Sequence, residues 1–333
     1  MTPVEKLAIE ICNIGEHPAP RGNCETIFTH VLKNSIFQSY NSERIGEFSG
    51  YFASQASGNI FSNTDYPSPF DFYRNYIINI NEVIRLTAED PQKNDQNAMA
   101  RVWKVWLYHW VTDAYGDIPY FEAAQGVENV INQPKYDPQE EIYRDMLNEL
   151  KEAEAQLGSS GDQVSFGNAD ILYQGDVENW KKFANSLRFR LAIRARFVDP
   201  ALAAEHVTAI IDAPLIDENS ENASLSTLPP SSTESNNNVN YIWTRELTAT
   251  TPMFVGFAIT DVMIPTDDPR MPILLSPALD GSGSYRGRPI QLLQEEIAEF
   301  LEEPATWGGP GAPADAETRN AVTARVRRAV FQL

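Results

Sequence analysis

The stretch HWVTDAYGDIPYFEA, residues 109–123, concentrates acid–base side chains among aromatic ones. His109 and Asp113 stand four residues apart, a spacing that would place two metal ligands or an acid–base pair on one helix face. Asp113 and Glu122 could instead be the two carboxylates of a glycoside hydrolase, if both face one cleft about 5–10 Å apart. A metal site on a helix needs a third ligand in a recognisable context, and no HExxH motif is present. The sequence therefore favours a structural role over a catalytic or metal site.

The element that must position these side chains is a predicted helix over residues 99–115. An apolar stripe runs along one face of this helix, and the opposite face is apolar as well. A helix that is apolar nearly all round is buried. Gly116 is expected to end the helix as a C-cap, and Pro119 prevents its continuation. The apolar stripe consists of Met99, Val102, Trp103, Trp106 and Trp110.

Asp113 falls in the middle of this stripe, so the buried carboxylate needs a cationic partner. Breaking a buried ion pair costs about 3–5 kcal/mol. A later predicted helix, residues 175–197, carries Arg194 on its apolar stripe and Arg190 just beside it. We therefore expect Asp113 or Asp117 to meet Arg190 or Arg194 across packed helices, forming a structural polar clamp at the bend after Gly116.

Further segments have helical periodicity and capping signals. Asp137 and Glu140 form a predicted capping box, and Asp176 is a predicted N-cap. Short connections between neighbouring helices favour antiparallel hairpins, so the fold class is predicted to be mainly α, with degenerate tetratricopeptide-like helix pairs and long irregular loop excursions. The further helical segments are 25–40, 70–90, 136–158, 175–197 and 199–212.

Composition restricts the classes of partner. The 333 residues carry 46 acidic and 26 basic side chains, a formal charge of -20, which argues against nucleic acid as a partner because a phosphate backbone needs clustered Lys and Arg. No apolar run approaches the roughly 20 residues of a membrane span, and the N-terminus lacks secretory-signal features. Cys12 and Cys24 are spaced to allow a disulfide if the protein is exported, whereas a zinc site is improbable.

Three stretches together resemble the SusD/RagB family of surface nutrient-binding lipoproteins, most closely its SusD-like, starch-binding-associated subgroup. They are YHWVTDAYGDIPYFEAAQG, PKYDPQEEIYRDMLNELKEAEAQL and ADILYQGDVENWKKFANSLRFRLAIRARFVDP. DDPRMPILLSP is a weaker fourth match. The resemblance covers roughly residues 50–290.

The resemblance implies a non-catalytic protein without a cofactor, anchored by lipid to the outer face of the outer membrane. Its implied partner is a TonB-dependent, SusC-like β-barrel transporter that receives captured oligosaccharide. The signal and lipidated cysteine are expected to lie outside this chain. We expect one SusD-like domain over 1–333, with a helical scaffold at 24–213, a loop-rich ligand-facing region at 214–290 and an atypical segment at 291–333, where the chain could be truncated.

Candidate ligand residues lie in loops that combine aromatic rings with hydrogen-bonding side chains. Sugars present flat CH faces and rings of hydroxyls, so such mixed surfaces suit them. Peptide binding, as the RagB branch implies, stays open because the same polar groups also bind a peptide backbone. An α-helical glycoside hydrolase is the third alternative. The candidates are Asn63, Asp65, Tyr66, Asn238, Asn240, Tyr241, Trp243, Arg245 and Tyr285.

Overall fold

The computed structural model describes residues 23–40, 51–53, 69–125, 131, 133–159, 161, 163–225, 254–278, 281–287 and 325–326. The chain divides into two compact units. The described residues 23–40 and 69–225 belong to the first unit, and the remaining described residues belong to the second.

The first unit is helical, which confirms the predicted fold class. A π-helical segment, Tyr73–Ile77, joins its second and third helices. Consecutive helices pack against one another from α3 to α7, as expected for helical hairpins. In chain order the helices are α1 (Cys24–Tyr40), α2 (Pro69–Phe72), α3 (Ile78–Thr87), α4 (Asn94–Tyr115), α5 (Gln139–Gln156), α6 (Val177–Ala195) and α7 (Pro200–Ile210).

Helix α4 lies at the centre of the hydrophobic core, as its apolar surface predicts. Its Trp103 stacks on Trp106, with ring centroids 4.3 Å apart. Trp103 also meets Trp180 of α6 edge to face at 6.4 Å. Both Trp103 and Trp180 are almost completely buried, so the contact between α4 and α6 removes two of the largest side chains from water.

The turn before α6 is built around a buried aspartate. Asp170 Oδ2 accepts hydrogen bonds from the Gly175 amide at 2.9 Å and from the Trp180 indole at 2.6 Å. Asp176 N-caps α6 by accepting from the Asn179 amide at 3.0 Å, which confirms the cap predicted there. Gly175 has φ +79°, a conformation that residues with a Cβ rarely adopt.

Replacing Gly175 by alanine should lower the free energy of unfolding by about 2 kcal/mol, because left-handed strain and steric overlap add together. A Cβ at this position would lie 2.4 Å from Ser165 Oγ and 2.6 Å from the Gly167 backbone nitrogen. Gly167→Ala is the matched control, since Gly167 has φ +48° but its Cβ would meet no atom within 4 Å. Equal losses in urea unfolding for the two variants would contradict the steric explanation.

The described residues of the second unit form a small antiparallel sheet and two short helices. The strands are β1 (Phe52–Ala53), β2 (Phe254–Val255), β3 (Leu275–Ser276) and β4 (Arg325–Val326), in the spatial order β1-β2-β4-β3. Helix α8 spans Phe257–Met263 and α9 spans Met271–Leu274. Val255 and Leu275 form the buried centre of this unit. None of the helices described in either unit is long and apolar enough to cross a membrane.

Candidate functional site

The segment 116–125 leaves α4 and is fastened to the start of α5 by hydrogen bonds. Gly116 has φ +74°, and its amide donates to the Thr112 carbonyl oxygen at 2.8 Å, which ends the helix where the sequence predicts. The Gln139 side chain donates to the same carbonyl at 2.7 Å. Ile118 pairs with Asp137 through an antiparallel bridge. The beginning of the segment is therefore held close to the start of α5 by a contact that is distant in sequence.

The predicted capping box at Asp137 and Glu140 is wrong. Helix α5 has Pro138 at its N-cap and no side-chain cap. Asp137 instead accepts hydrogen bonds from the amides of Tyr120 at 3.0 Å and Phe121 at 2.9 Å. Burial alone would raise the pKa of Asp137, but these amides and Lys135 outweigh burial and lower it. This carboxylate thus stays ionised and fixes the backbone of two adjacent aromatic residues, Tyr120 and Phe121, which we call the YF pair.

Asp117 meets neither Arg190 nor Arg194, the two partners that the clamp hypothesis allowed. Its Oδ1 accepts from the backbone amide of Gln139 at 2.9 Å, so the carboxylate binds the N-terminus of α5. A negative charge is favourable there because the first amides of a helix lack partners within the helix. Arg190 is exposed, and no ion pair joins it to Asp113 or Asp117.

The structure does bring Asp113 and Arg194 together. Arg194 Nε lies 3.1 Å from Asp113 Oδ2, and the Tyr143 hydroxyl of α5 donates to Asp113 Oδ1. The pair thus links α4, α5 and α6. The expected deep burial is wrong, however, because the side chain of Arg194 is 52% exposed and that of Asp113 is 18% exposed. The pair lies at the solvent edge of the helix packing, since Asp113 is past the last buried turn of α4.

Because Arg194 is half exposed, Arg194→Ala should lower the free energy of unfolding by about 0.5–1 kcal/mol, the range of surface ion pairs. A double-mutant cycle with Asp113→Asn measures the coupling directly. Arg190→Ala is the matched control and should change stability less. A coupling well above this range would mean that the pair is shielded from solvent.

His109 is buried in α4 and contacts its own helix. Its Nδ1 donates a hydrogen bond to the Trp106 carbonyl oxygen, which fixes the proton on that nitrogen. Burial lowers the pKa of His109 to about 4, and the opposing charge of Asp113 does not compensate. The imidazole is therefore neutral at neutral pH. Within the part of the chain that the structure describes, no group of three His, Cys, Asp or Glu side chains is placed to hold a metal ion.

Asp113 and Glu122 have separate partners rather than a shared cleft. Asp113 contacts Tyr143 and Arg194, whereas Glu122 accepts from the Lys135 amide at 3.1 Å. Both carboxylates thus make contacts that stabilise the fold. Neither contact supports the acid–base arrangement that the hydrolase alternative requires.

A cavity of about 450 Å³ opens on the first unit between α3, α4, α5 and the segment 120–125. This volume lies in the ordinary range of small-molecule sites. Its apolar part is formed by Ile84, Tyr108, Tyr120, Phe121, Ala123 and Ala124. Its polar part is formed by Asn81, Glu82, Arg85, Lys104, Gln125 and Asp145.

The charged groups of this cavity are largely paired within the protein. Arg85 binds Glu82 through two hydrogen bonds of 2.8 and 2.7 Å. Lys104 Nζ lies 2.8 Å from Glu149 Oε1. Burial alone would raise the pKa of Glu149, but the hydrogen bond from Arg101 and the charge of Lys104 outweigh burial and hold it at about 2.

Tyr120 and Phe121 form the aromatic wall of the cavity. Tyr120 is buried, packs edge to face on Tyr108 with ring centroids 4.5 Å apart, and donates to Asp145 Oδ2 at 2.7 Å. Phe121 meets Tyr120 at 88° and 4.9 Å, and it is 41% exposed. The sequence prediction did not include this cavity. The sequence signal for this cavity was the YF pair, which follows the helix-ending Gly116 and Pro119.

Most of the predicted ligand residues lie outside the described residues. Tyr285 is described: it is half buried and packs against the Val255–Leu275 core of the second unit. Cys24 has a buried free thiol that contacts Gln96 at 3.7 Å, so the structure gives the predicted Cys12–Cys24 disulfide no support, although Cys12 lies outside the described residues. Also outside them are Asn63, Asp65, Tyr66, Asn238, Asn240, Tyr241, Trp243 and Arg245.

Comparison with protein families identifies the class to which this helical protein belongs. Residues 22–305 match the model of the SusD-like family described as starch-binding and associating with the outer membrane. The chain therefore belongs to this SusD-like family, which confirms the resemblance carried by the three sequence stretches. Among curated proteins, none matches this sequence.

Solved structures with the same fold include a chitin-binding protein, 24% identical, with a TM-score of 0.71 over 92% of this chain and 64% of that chain. A SusD-like protein, Bacteroidetes AC2a, is 20% identical, with a TM-score of 0.68 over 92% of this chain and 68% of that one. A SusD homolog from Bacteroides uniformis is 23% identical, with a TM-score of 0.64 over 91% and 60%. The present chain thus spans 60 to 68% of the length of these three proteins.

Proposed function

We propose that this protein is a non-catalytic, surface-exposed nutrient-binding lipoprotein of the outer membrane that captures oligosaccharides. The observation that carries the proposal is the family match over residues 22–305, because that family is described as starch-binding and associating with the outer membrane. The similarity of its fold to that of a chitin-binding protein also supports a carbohydrate ligand.

The charge of the chain is compatible with such a ligand. Starch and chitin are uncharged polymers, so an acidic protein with a formal charge of -20 neither attracts nor repels them. The same charge opposes polyanionic ligands such as nucleic acids. A neutral glycan is therefore the ligand class that agrees best with both family and composition.

We further propose that the captured oligosaccharide passes to a TonB-dependent, SusC-like β-barrel transporter. The support for this partner is membership of a family associated with the outer membrane, where large polar nutrients need a transporter to enter. Membrane attachment through an N-terminal lipid anchor belongs to the same proposal. Co-purification of the full-length protein with a barrel protein from detergent-solubilised outer membranes tests it, and its failure in mild detergent would count against the partner.

Isothermal titration calorimetry with starch and chitin oligosaccharides tests the ligand class. A tryptic peptide mixture is the parallel ligand, and chromatography of the incubated sugars reveals any cleavage. We expect heat of binding with at least one oligosaccharide and unchanged sugar chains. Binding of peptides alone would replace the glycan proposal with the peptide alternative, and shortened sugars would reveal an enzyme.

A further inference from the structure

The cavity between α3, α4, α5 and the segment 120–125 lies in the helical unit, and its lining contains none of the ligand residues predicted from the sequence. Its walls come from four separate parts of the chain, all within the first unit. The backbone of its aromatic wall is fixed, since Asp137 accepts hydrogen bonds from the amides of both Tyr120 and Phe121. The cavity is therefore a preformed feature of the scaffold.

Three lining side chains have an oxygen that no residue of the described chain satisfies. Asn81 donates to the Ala124 carbonyl at 2.9 Å and Gln125 to the Phe121 carbonyl at 2.7 Å, but neither amide oxygen accepts a hydrogen bond from a described residue. Asp145 uses Oδ2 for the Tyr120 hydroxyl and leaves Oδ1 without a described donor. The cavity thus offers three acceptors to a ligand that carries donors.

The ionic groups of the cavity balance one another. Glu82 and Asp145 contribute two negative charges, and Arg85 and Lys104 contribute two positive charges. Arg85 is paired with Glu82, and Lys104 with Glu149 outside the lining. An anionic ligand would therefore have to compete with existing ion pairs for Arg85 and Lys104, whereas a neutral ligand would leave these pairs intact.

The cavity also offers a ligand an aromatic surface, the partly exposed ring of Phe121. A pyranose ring has hydroxyl donors around its edge and apolar CH groups on its faces, which pack on an aromatic ring. Acceptor oxygens, balanced charge and a partly exposed aromatic ring match these properties, and the volume of about 450 Å³ accommodates a short saccharide.

We propose that this cavity is a carbohydrate subsite for one or two neutral sugar units, in addition to any site formed by the loops. Phe121 supports the sugar face, while Asn81, Gln125 and Asp145 accept hydrogen bonds from its hydroxyls. The inference rests on the proposed function, because it assigns a second place where the same class of ligand binds.

Calorimetry with maltose, maltoheptaose, chitobiose and chitohexaose tests the subsite on the whole chain. Phe121→Ala removes the platform, and Asp145→Asn removes one acceptor while keeping the side-chain shape. Each should weaken binding of at least one sugar about ten-fold, or remove one unit from the binding stoichiometry. Tyr136→Ala is the matched control, since Tyr136 is an aromatic residue of the first unit, 65% exposed, that does not line the cavity.

Circular dichroism confirms that each variant is folded, and Phe121 and Asp145 are exposed enough that their replacement leaves the core intact. The subsite is overturned if wild-type protein binds a sugar and both cavity variants bind it with unchanged affinity and stoichiometry; the proposed function then stands. It is also overturned if Tyr136→Ala weakens binding as much as Phe121→Ala. If wild-type protein binds none of the sugars, the proposed function and the subsite both fail.

Discussion

Replacing Asp170 with alanine should lower the free energy of unfolding of the helical unit by about 4 kcal/mol, because three buried donors and one partly buried donor would lose their acceptor and each orphaned group costs about 1–3 kcal/mol. The donors are the amides of Leu172 at 3.0 Å, Tyr173 at 3.3 Å and Gly175 at 2.9 Å, and the indole of Trp180 at 2.6 Å. Asp170 itself is completely buried, so water cannot replace the lost bonds without entering the core.

The loss should extend beyond the turn, because Trp180 joins several helices. Its ring packs on Phe28 of α1, Trp103 of α4 and Tyr173, at centroid distances of 6.0, 6.4 and 5.8 Å. The bond to Asp170 fixes the orientation of this ring. Releasing it therefore disturbs the packing of α6 on α1 and α4 as well as the turn 167–175.

Urea unfolding followed by tryptophan fluorescence measures this effect. Four of the six tryptophans, Trp103, Trp106, Trp110 and Trp180, lie in the helical unit, so the signal reports mainly on it. Asp170→Asn should be destabilising as well, since its amide nitrogen cannot accept from Gly175 and Trp180. Asp90→Ala is the matched control: Asp90 accepts one exposed amide bond, from Gln92 at 3.1 Å, and should cost about 1 kcal/mol or less. A loss of similar size at both aspartates would contradict the central role of Asp170.

The helices could be predicted from sequence because their signals are local. The periodicity over residues 99–115 predicts the burial of α4, and the aspartate before Val177 predicts the cap of α6, since both depend on neighbours within a few residues. Asp137 shows where this reasoning fails. A carboxylate one residue before a Pro fits the rule for a cap, but the amides of Tyr120 and Phe121, from the preceding connection, bind it instead.

The candidate site was harder to predict because it depends on contacts distant in sequence. The charge on the apolar stripe of α4 predicts that Asp113 needs an arginine, and Arg194 is one of the two proposed partners. Tyr143, which also binds Asp113, was missed because its phenol looks apolar in a periodicity pattern. The cavity is not predictable from local patterns, because Asn81, Lys104, Phe121 and Asp145 converge only after four segments have packed.

Acidification from pH 6.5 to pH 4 should cost about 3 kcal/mol of folding stability through His109 alone, because its pKa falls from the ordinary value of 6.5 to about 4 on folding. The unfolded chain binds a proton in this range while the folded chain does not. The contribution of His109 to the free energy of unfolding is therefore complete above pH 6.5. It is lost as the pH falls towards 4, and it changes little at lower pH. Asp113, Arg190 and Arg194 are the charged groups that act on the imidazole.

Other groups shape the same curve of stability against pH, among them His206 and Glu149. His206 is buried and accepts a hydrogen bond from Arg188 at 2.9 Å, and burial together with that positive charge lowers its pKa, so it adds to the loss below pH 6.5. Glu149 acts in a lower window: its pKa of about 2 means that its contribution is present above about pH 4.5 and is lost as the pH falls through 2.

Urea unfolding at pH 7.5, 6, 5 and 4 separates these contributions. His109→Gln keeps a neutral polar side chain that can still donate to the Trp106 carbonyl, so it should remove about 3 kcal/mol of the difference between pH 7.5 and pH 4 while leaving the slope from His206. His206→Gln is the converse variant, and it should leave the His109 share in place. If His109→Gln loses stability on acidification as steeply as the wild-type protein, the imidazole already exchanges protons with water in the folded state. The tight packing of α4 around His109 would then be wrong.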